Sequence, residues 1–451
     1  MSFRSKSFWA LTLLIALSVT SIIIGVRFTG DAGAGSTEEY KELQVFTEVL
    51  SAIKHNYVEE VETKDLVYDA LRGMLRSMDP HSSFMTPEDF KEMKVDTKGE
   101  FGGLGIQISI RNGVLTVIAP IEDTPAWRAG IEAGDRIVKI EDESTKDMTL
   151  HEAVSKMRGK RGTKITISIF RDSFKKPRDF SIVRDIIKIK SVKSRMVNRN
   201  IGYVKLSQFQ ERSADDLYDA MNDLKKDGAE GLILDLRNNP GGLLDSAVEI
   251  SSFFLPRGKM VVYTMDRFGN KEEYKSRNKT FSEKIPMTVL VNQGSASASE
   301  IVAGALKDWK RAMIIGVTSF GKGSVQKLIP LSDGAGLRIT TSKYYTPNGI
   351  SIQNTGIKPD IVVKLAIPEG ENGHPVMRES DLEGRLDNEQ TEIDDKNIKS
   401  NGDEQDEVAV PLRGLKDEDD TQLQRALEIL DTWITYKKMP EAVDETDKSG
   451  S

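Results

Sequence analysis

The chain has 451 residues, 29% of them charged and 38% hydrophobic, which is enough for two or three domains. Its formal net charge of −7 argues against nucleic acid as a main partner. It contains no cysteine, so disulfides, thiol chemistry and lipoprotein attachment through a cysteine are all excluded.

Residues 1–30 stand apart from the rest. Arg4 and Lys6 precede an uncharged run from Phe8 to Val26, which Arg27 closes. As a helix this run would span about 28 Å, close to the hydrocarbon thickness of a bilayer. That predicts a signal anchor with its basic flank inside, the remainder exported, and a periplasmic or extracytoplasmic location at the inner membrane. A cleaved signal peptide is the alternative, because Ala32-Gly33-Ala34 offers a small-residue site.

A helical region over residues 36–97 follows. Leu43, Phe46, Val49, Leu50, Ile53 and Tyr57, then Leu66, Ala70, Leu71, Met74 and Leu75, keep helical spacing. Asp79-Pro80-His81-Ser82-Ser83-Phe84 interrupts it, and Pro87 opens another helix. His81 reads as a turn residue and receives no functional role.

Residues 98–187 form a β-rich unit. Ile106, Ile108 and Ile110 alternate along a strand, and Asn112-Gly113 makes a tight hairpin into Val114–Ile118. An Ala-Gly-Asp segment at 133–135, a helix over Thr149–Met157 and a strand from Lys164 follow. In this order the elements resemble a PDZ domain. The resemblance implies that the loop Gly103-Leu104-Gly105-Ile106 presents free N–H groups to a peptide's terminal carboxylate. Leu104, Ile106, Ile108, Ala153, Val154 and Met157 would line the side-chain pocket.

Residues 188–367 read as an α/β core. Ile201–Leu206 is a strand, Asp215–Asp227 a helix and Gly231–Leu236 a buried strand ending in Arg237-Asn238-Asn239-Pro240-Gly241-Gly242. The apolar run Met287–Val291 leads into Gly294-Ser295-Ala296-Ser297-Ala298-Ser299 and a helix over Glu300–Trp309. A serine on such a strand-to-helix turn projects from the sheet edge toward the free N–H groups of the helix's first turn, a placement suited to acyl transfer. A base is then required, yet no histidine lies between His151 and His374. Lysine is the next candidate, provided that desolvation lowers its pKa. Lys322, between Gly321 and Gly323 after Phe320, suits a buried amine. Gln326 would share a face with it if the segment is helical.

Gly-Ser-Ala-Ser-Ala-Ser-Glu followed by Phe-Gly-Lys-Gly-Ser-Val-Gln resembles the carboxy-terminal processing peptidases, or tail-specific proteases. The resemblance implies that Ser297, the middle serine, is the nucleophile and that Lys322, 25 residues on, is its base, with Gln326 as orienting third member. It further implies a crotonase/ClpP-like β-α core with an inserted PDZ domain. In that setting Gly241 or Gly242, with Ala298, supplies oxyanion-hole N–H groups. Asp79–Phe84 matches another family motif, and Tyr344–Gly349 and Ile357–Asp360 match segments that read as structural. No His/Asp/Glu cluster has ligand spacing, so neither metal nor cofactor is implied.

Residues 368–418 read as an acidic linker, and Glu379–Glu407 within it, acidic, polar and poor in large apolar side chains, are expected to be flexible. Residues 419–451 hold a C-terminal helix with Leu423, Ala426, Leu427, Leu430, Trp433 and Ile434 on one face. That face should bury itself on a partner subunit or on the N-terminal helices, predicting a homo-oligomer. The expected function is an exported serine endopeptidase that captures protein C-termini and cleaves through an acyl-enzyme, with an activating adaptor as a further candidate partner. A catalytically silent PDZ adaptor is the competing reading. A crotonase-type acyl-CoA enzyme would leave the PDZ insertion without a purpose.

Overall fold

The structure, a computed structural model, describes residues 37–277, 281–282, 284–366, 374–390, 408–409, 412 and 415–439. The expected N-terminal anchor lies outside these residues. Two compact units divide at Met74/Leu75. The first contains α1 (Thr37–Asn56) and most of α2 (Thr63–Arg76), and Leu43, Phe46 and Val49 on α1 are exposed.

The second unit begins with a turn at Asp79 that leads into β1 (Ser83–Met85). Helix α3 (Pro87–Lys98) starts on a Thr86 cap: Thr86 Oγ1 accepts from Asp89 N, and the Asp89 carboxylate accepts from Thr86 N. Strand β2 (Glu100–Gly103) then enters the PDZ-like part. Its strands are β3 (Ile106–Arg111), β4 (Val114–Pro120), β5 (Arg136–Ile140), β6 (Glu143–Ser144), β7 (Lys164–Phe170) and β8 (Arg178–Val183), with helices α4 (Pro125–Arg128) and α5 (Leu150–Met157). The sheet runs β3-β4-β5-β7-β8. Asn112 and Gly113, at φ 50° and 75°, form the expected hairpin. Ile137, Ile140, Ile165, Ile167 and Ile169 pack with Ala126, Ala153 and Met157 as this part's own core.

Strand β9 (Asp185–Lys188) pairs with β2 and returns the chain to the α/β core. There β10 (Val192–Met196), β11 (Ile201–Leu206), α6 (Ser213–Lys226), β12 (Gly231–Asp235), α7 (Leu244–Ser252), β13 (Met260–Asp266), β14 (Lys271–Lys275), β15 (Met287–Val291), α8 (Ala298–Asp308), β16 (Met313–Gly316), β17 (Ser324–Pro330), β18 (Gly336–Tyr345) and β19 (Ile361–Val362) follow in order. One sheet runs β10-β11-β12-β15-β16-β19, parallel from β11 onward. A second joins β1, β18, β13 and β14, with β17 also on β18.

Both faces of the parallel sheet are covered, as parallel strands require. Leu232, Leu234, Val289 and Val291 point to the side packed by α6, α7 and α8. The alternate residues Ile233, Leu290 and Ile315 point to the other side. What covers that second side corrects the sequence expectation for the C-terminal helix, α9 (Thr421–Lys438). Its Leu423, Ala426, Leu430 and Ile434 pack on Ile201, Ile233, Leu290 and Ile315 of the same chain, so this face is not reserved for a partner. Arg237, at the end of β12, fixes the helix start by bonding Asp235, Asp420 and Gln422 at 2.8–3.0 Å. The acidic linker also needs correcting over its described part. Glu379 is fully buried and Asn388 nearly so, because their side chains bond to the chain around the candidate site.

Candidate active site

Ser297 caps α8 at φ 55° and ψ −114°, a backbone region unusual for a residue with a Cβ. The neighbouring serines are spent on structure. Ser295 Oγ donates to Leu236 O at 2.8 Å, Ser299 Oγ to Asn239 O at 2.9 Å, and both residues are fully buried. Ser297 keeps partial exposure.

Glu300, three residues on and fully buried, ties this turn to the Phe320–Gly323 loop. Its Oε2 accepts from Ser297 N at 2.7 Å and from Lys322 N at 3.0 Å. Those two nitrogens therefore lie within about 6 Å of each other. Its Oε1 accepts from Ser319 Oγ at 2.6 Å and Gly321 N at 2.7 Å. Burial pushes this carboxyl up to about 7, against the pull of its four donors. The sequence reading passed over Glu300, although Ser-x-x-Glu at a helix start is the capping-box spacing.

Desolvation, reinforced by Arg338, pulls the Lys322 amine down to about 8, while Glu379, Glu300 and Asp79 pull the other way. The loop packs closely against its neighbours here. A Cβ on Gly323 would lie 2.5 Å from Gln353 N, and Gly323 N–H donates to Gln353 Oε1 at 3.0 Å. Tyr344, read as structural from the sequence, is buried and donates its hydroxyl to Lys322 O.

Gln326 departs from expectation in its backbone. It lies on β17, not on a helix, next to a register shift between Val325 and Gln326 in the ladder with β18. Its Nε2 donates to Ser324 Oγ at 3.0 Å and Thr340 Oγ1 at 3.2 Å. Among the described residues no hydrogen bond joins Lys322 Nζ to Ser297 Oγ or to the Gln326 amide.

The two loop glycines differ. Gly241 N–H is taken by Asn239 Oδ1 at 2.9 Å. A Cβ there would approach Ser297 Cβ to 2.8 Å and Ala298 N to 2.9 Å, so only glycine lets this loop touch the serine turn. No backbone acceptor among the described residues takes the N–H of Gly242 or of Ala298.

In the PDZ-like part a groove of about 200 Å³ is lined by Gly103, Leu104, Gly105, Ile106, Ile108, Val154 and Met157. Phe101, Leu150 and Arg158 complete it, and none of the three was picked out from the sequence. Ala153 does not line it. That side chain is fully buried in the β-sheet core. The Leu104 and Gly105 N–H groups have no backbone acceptor among the described residues.

An α/β core carrying a serine on a strand-to-helix turn, with a PDZ domain inserted ahead of it, defines a PDZ-containing serine-type peptidase. The profile of peptidase family S41 matches residues 200–363, that of the PDZ domain 116–171, and that of the activating protease CtpB N-terminal domain 26–89. The carboxy-terminal-processing protease of Bartonella bacilliformis is 43% identical over 94% of this chain and 96% of its own. The carboxy-terminal processing protease CtpA of Bacillus subtilis is 36% identical over 79% and 76%. Among solved structures, a photosystem II D1 C-terminal processing protease aligns at a TM-score of 0.42 with 30% identity, over 71% of this chain and 92% of that one. The chain belongs to the carboxy-terminal processing proteases of peptidase family S41.

Proposed function

We propose that this serine protease cleaves near the C-termini of protein substrates with Ser297 as nucleophile and Lys322 as base. The observation that carries this reading is the Glu300 clamp, which ties the Ser297 and Lys322 backbones to one carboxylate oxygen. Lys322, desolvated to about 8, supplies a neutral amine at mildly alkaline pH, and that amine takes the Ser297 proton as Oγ attacks the scissile carbonyl. Gln326 orients the amine. The N–H groups of Gly242 and Ala298 hold the developing oxyanion, since Gly241 N–H is already committed to Asn239. The protonated lysine then returns its proton to the leaving amine, and water hydrolyses the acyl-enzyme through the same base.

Residues 98–187 serve as the substrate-capturing PDZ domain and 188–367 as the catalytic core. A substrate tail adds as a strand along the groove, with its carboxylate on the Leu104 and Gly105 N–H groups and its last side chain among Ile106, Ile108, Val154 and Met157. The apolar run at residues 8–26 supports export and attachment to a membrane. The exposed Leu43, Phe46 and Val49 of α1 support assembly through the N-terminal helices.

The test compares free-acid and C-terminally amidated versions of one peptide. The amide should raise KM and leave the cut site unchanged, and Leu104→Asp should remove the difference between the two peptides. Equal kcat/KM for acid and amide in the unaltered protein would refute capture by the carboxylate.

A further inference from the structure

The turn at Asp79, which the sequence reading left without a role, reaches the candidate site through side chains more than two hundred residues away. Asp79 is buried, and its carboxylate accepts four hydrogen bonds. His81 N, Ser82 N and Thr340 Oγ1 donate to Oδ1 at 2.8, 2.8 and 3.1 Å, and Ser82 Oγ donates to Oδ2 at 2.6 Å. Desolvation pushes the group up, but these bonds more than offset it and hold the carboxyl below its ordinary value. It is therefore an ionised, acceptor-only group.

That fact propagates. A hydroxyl has one proton, and Thr340 gives its proton to Asp79. Thr340 Oγ1 can then only accept from Gln326, at 3.2 Å. A carbonyl oxygen placed there would meet lone pairs, so the amide must turn its NH2 toward Thr340. Ser324 Oγ, at 3.0 Å, accepts the other N–H. Both donor positions of the amide are then occupied, and its oxygen is the end left over.

We propose that Asp79 is a positioning residue for the peptidase reaction: through Thr340 it fixes the direction of the Gln326 amide, so that Gln326 presents its oxygen, not its NH2, to the Lys322 amine. The inference rests on the Ser297–Lys322–Gln326 reading above, because among the described residues no hydrogen bond joins the Gln326 amide to Lys322 Nζ. The polarity matters because a neutral amine has two N–H groups to place and one lone pair to keep free. An amide oxygen takes an N–H and leaves the lone pair for the Ser297 proton. A reversed amide would offer an N–H to that lone pair and compete with the serine.

Asp79→Asn keeps the shape of the side chain but can donate to Thr340, which releases the Thr340 proton toward a reversed Gln326. Thr340→Val deletes the relay. Steady-state cleavage of a peptide by the full chain should show kcat lowered roughly tenfold or more in each variant, with KM changed by less than about twofold. Thr340→Ser, which retains the hydroxyl, should restore kcat. The Asp79→Asn/Thr340→Val double variant should be no slower than the slower single, because one relay can be broken only once. Multiplicative losses in the double variant, or equal kcat for Thr340→Val and Thr340→Ser, would overturn the proposal. The Val/Ser comparison decides alone if Asp79→Asn fails to fold. Ser297→Ala assayed in parallel separates the two layers, since cleavage by that variant would remove the dyad reading itself.

Discussion

If Lys322 is held in the protein as a strained base, the fold bears a cost that removing the amine should relieve. The perturbation is Lys322→Met, made in a Ser297→Ala background so that self-cleavage cannot blur the comparison. A free lysine's 10.5 falls to about 8 here, so the folded state binds a proton on this group less readily than the unfolded chain does. Protonation therefore favours unfolding. The penalty is complete below about pH 8, shrinks as pH rises between about 8 and 10.5, and vanishes above that window. The gap corresponds to about 3 kcal/mol at pH 7 and about 1 kcal/mol at pH 9.5. Lys322→Met should accordingly be more stable than its parent by about 3 kcal/mol at pH 7, with less than half that gain at pH 9.5. Urea unfolding followed by tryptophan fluorescence at the two pH values measures both. A variant no more stable at pH 7, or one with the same gain at both pH values, would refute the claim that desolvation sets the lysine's basicity.

Three further outcomes follow from named contacts. The kcat/KM profile should rise tenfold per pH unit below about 8 and level above it, since only the neutral amine is competent; a limb near pH 10 would contradict it. Gly241→Ala should abolish activity, because its Cβ would press on Ser297 Cβ and Ala298 N at 2.8 and 2.9 Å from a backbone at φ 100°; an active variant would show that this loop moves freely. Arg237→Ala leaves Asp235 and Asp420 buried without their cation and should cost about 3–5 kcal/mol. Faster hydrogen exchange in Thr421–Lys438 would register it, and unchanged exchange there would count against the helix being pinned at that point.

The sequence conveyed elements and motifs well, and long-range partners poorly. Alternation along Ile106–Ile110 and the Asn-Gly turn defined a hairpin because both signals are local. The parallel strands were legible as short apolar runs, and the family resemblance followed from two spaced motifs. The docking of α9 was not legible. Its apolar stripe says that a face is buried, but Ile233 and Leu290, which receive it, look like any residues of a strand buried on both sides. Whether Gln326 lies on a helix was left open by the sequence, because a four-residue interval from Lys322 suits a helix as well as an extended segment. The pairing with β18 that decides the matter involves Lys343 and Thr340, which no local pattern announces. Glu379 sits in an acidic stretch whose composition suggests a solvated linker. Only the fold brings His81 Nε2 and Gln353 Nε2 to its carboxylate, at 2.8 and 3.0 Å. Glu300 was within reach of local reasoning as a cap, but its grip on the Lys322 loop was not.

The central claim is that Ser297 carries the acyl group and Lys322 enables its formation. Intact-mass spectrometry after rapid acid quench of the full chain with a C-terminal peptide ester tests it most directly. The account predicts an adduct of the acyl mass that peptide mapping places on Ser297. It should be absent in Ser297→Ala and also absent in Lys322→Arg, whose guanidinium cannot be deprotonated. An adduct on any other residue, or full acylation of Ser297 in Lys322→Arg, would contradict it.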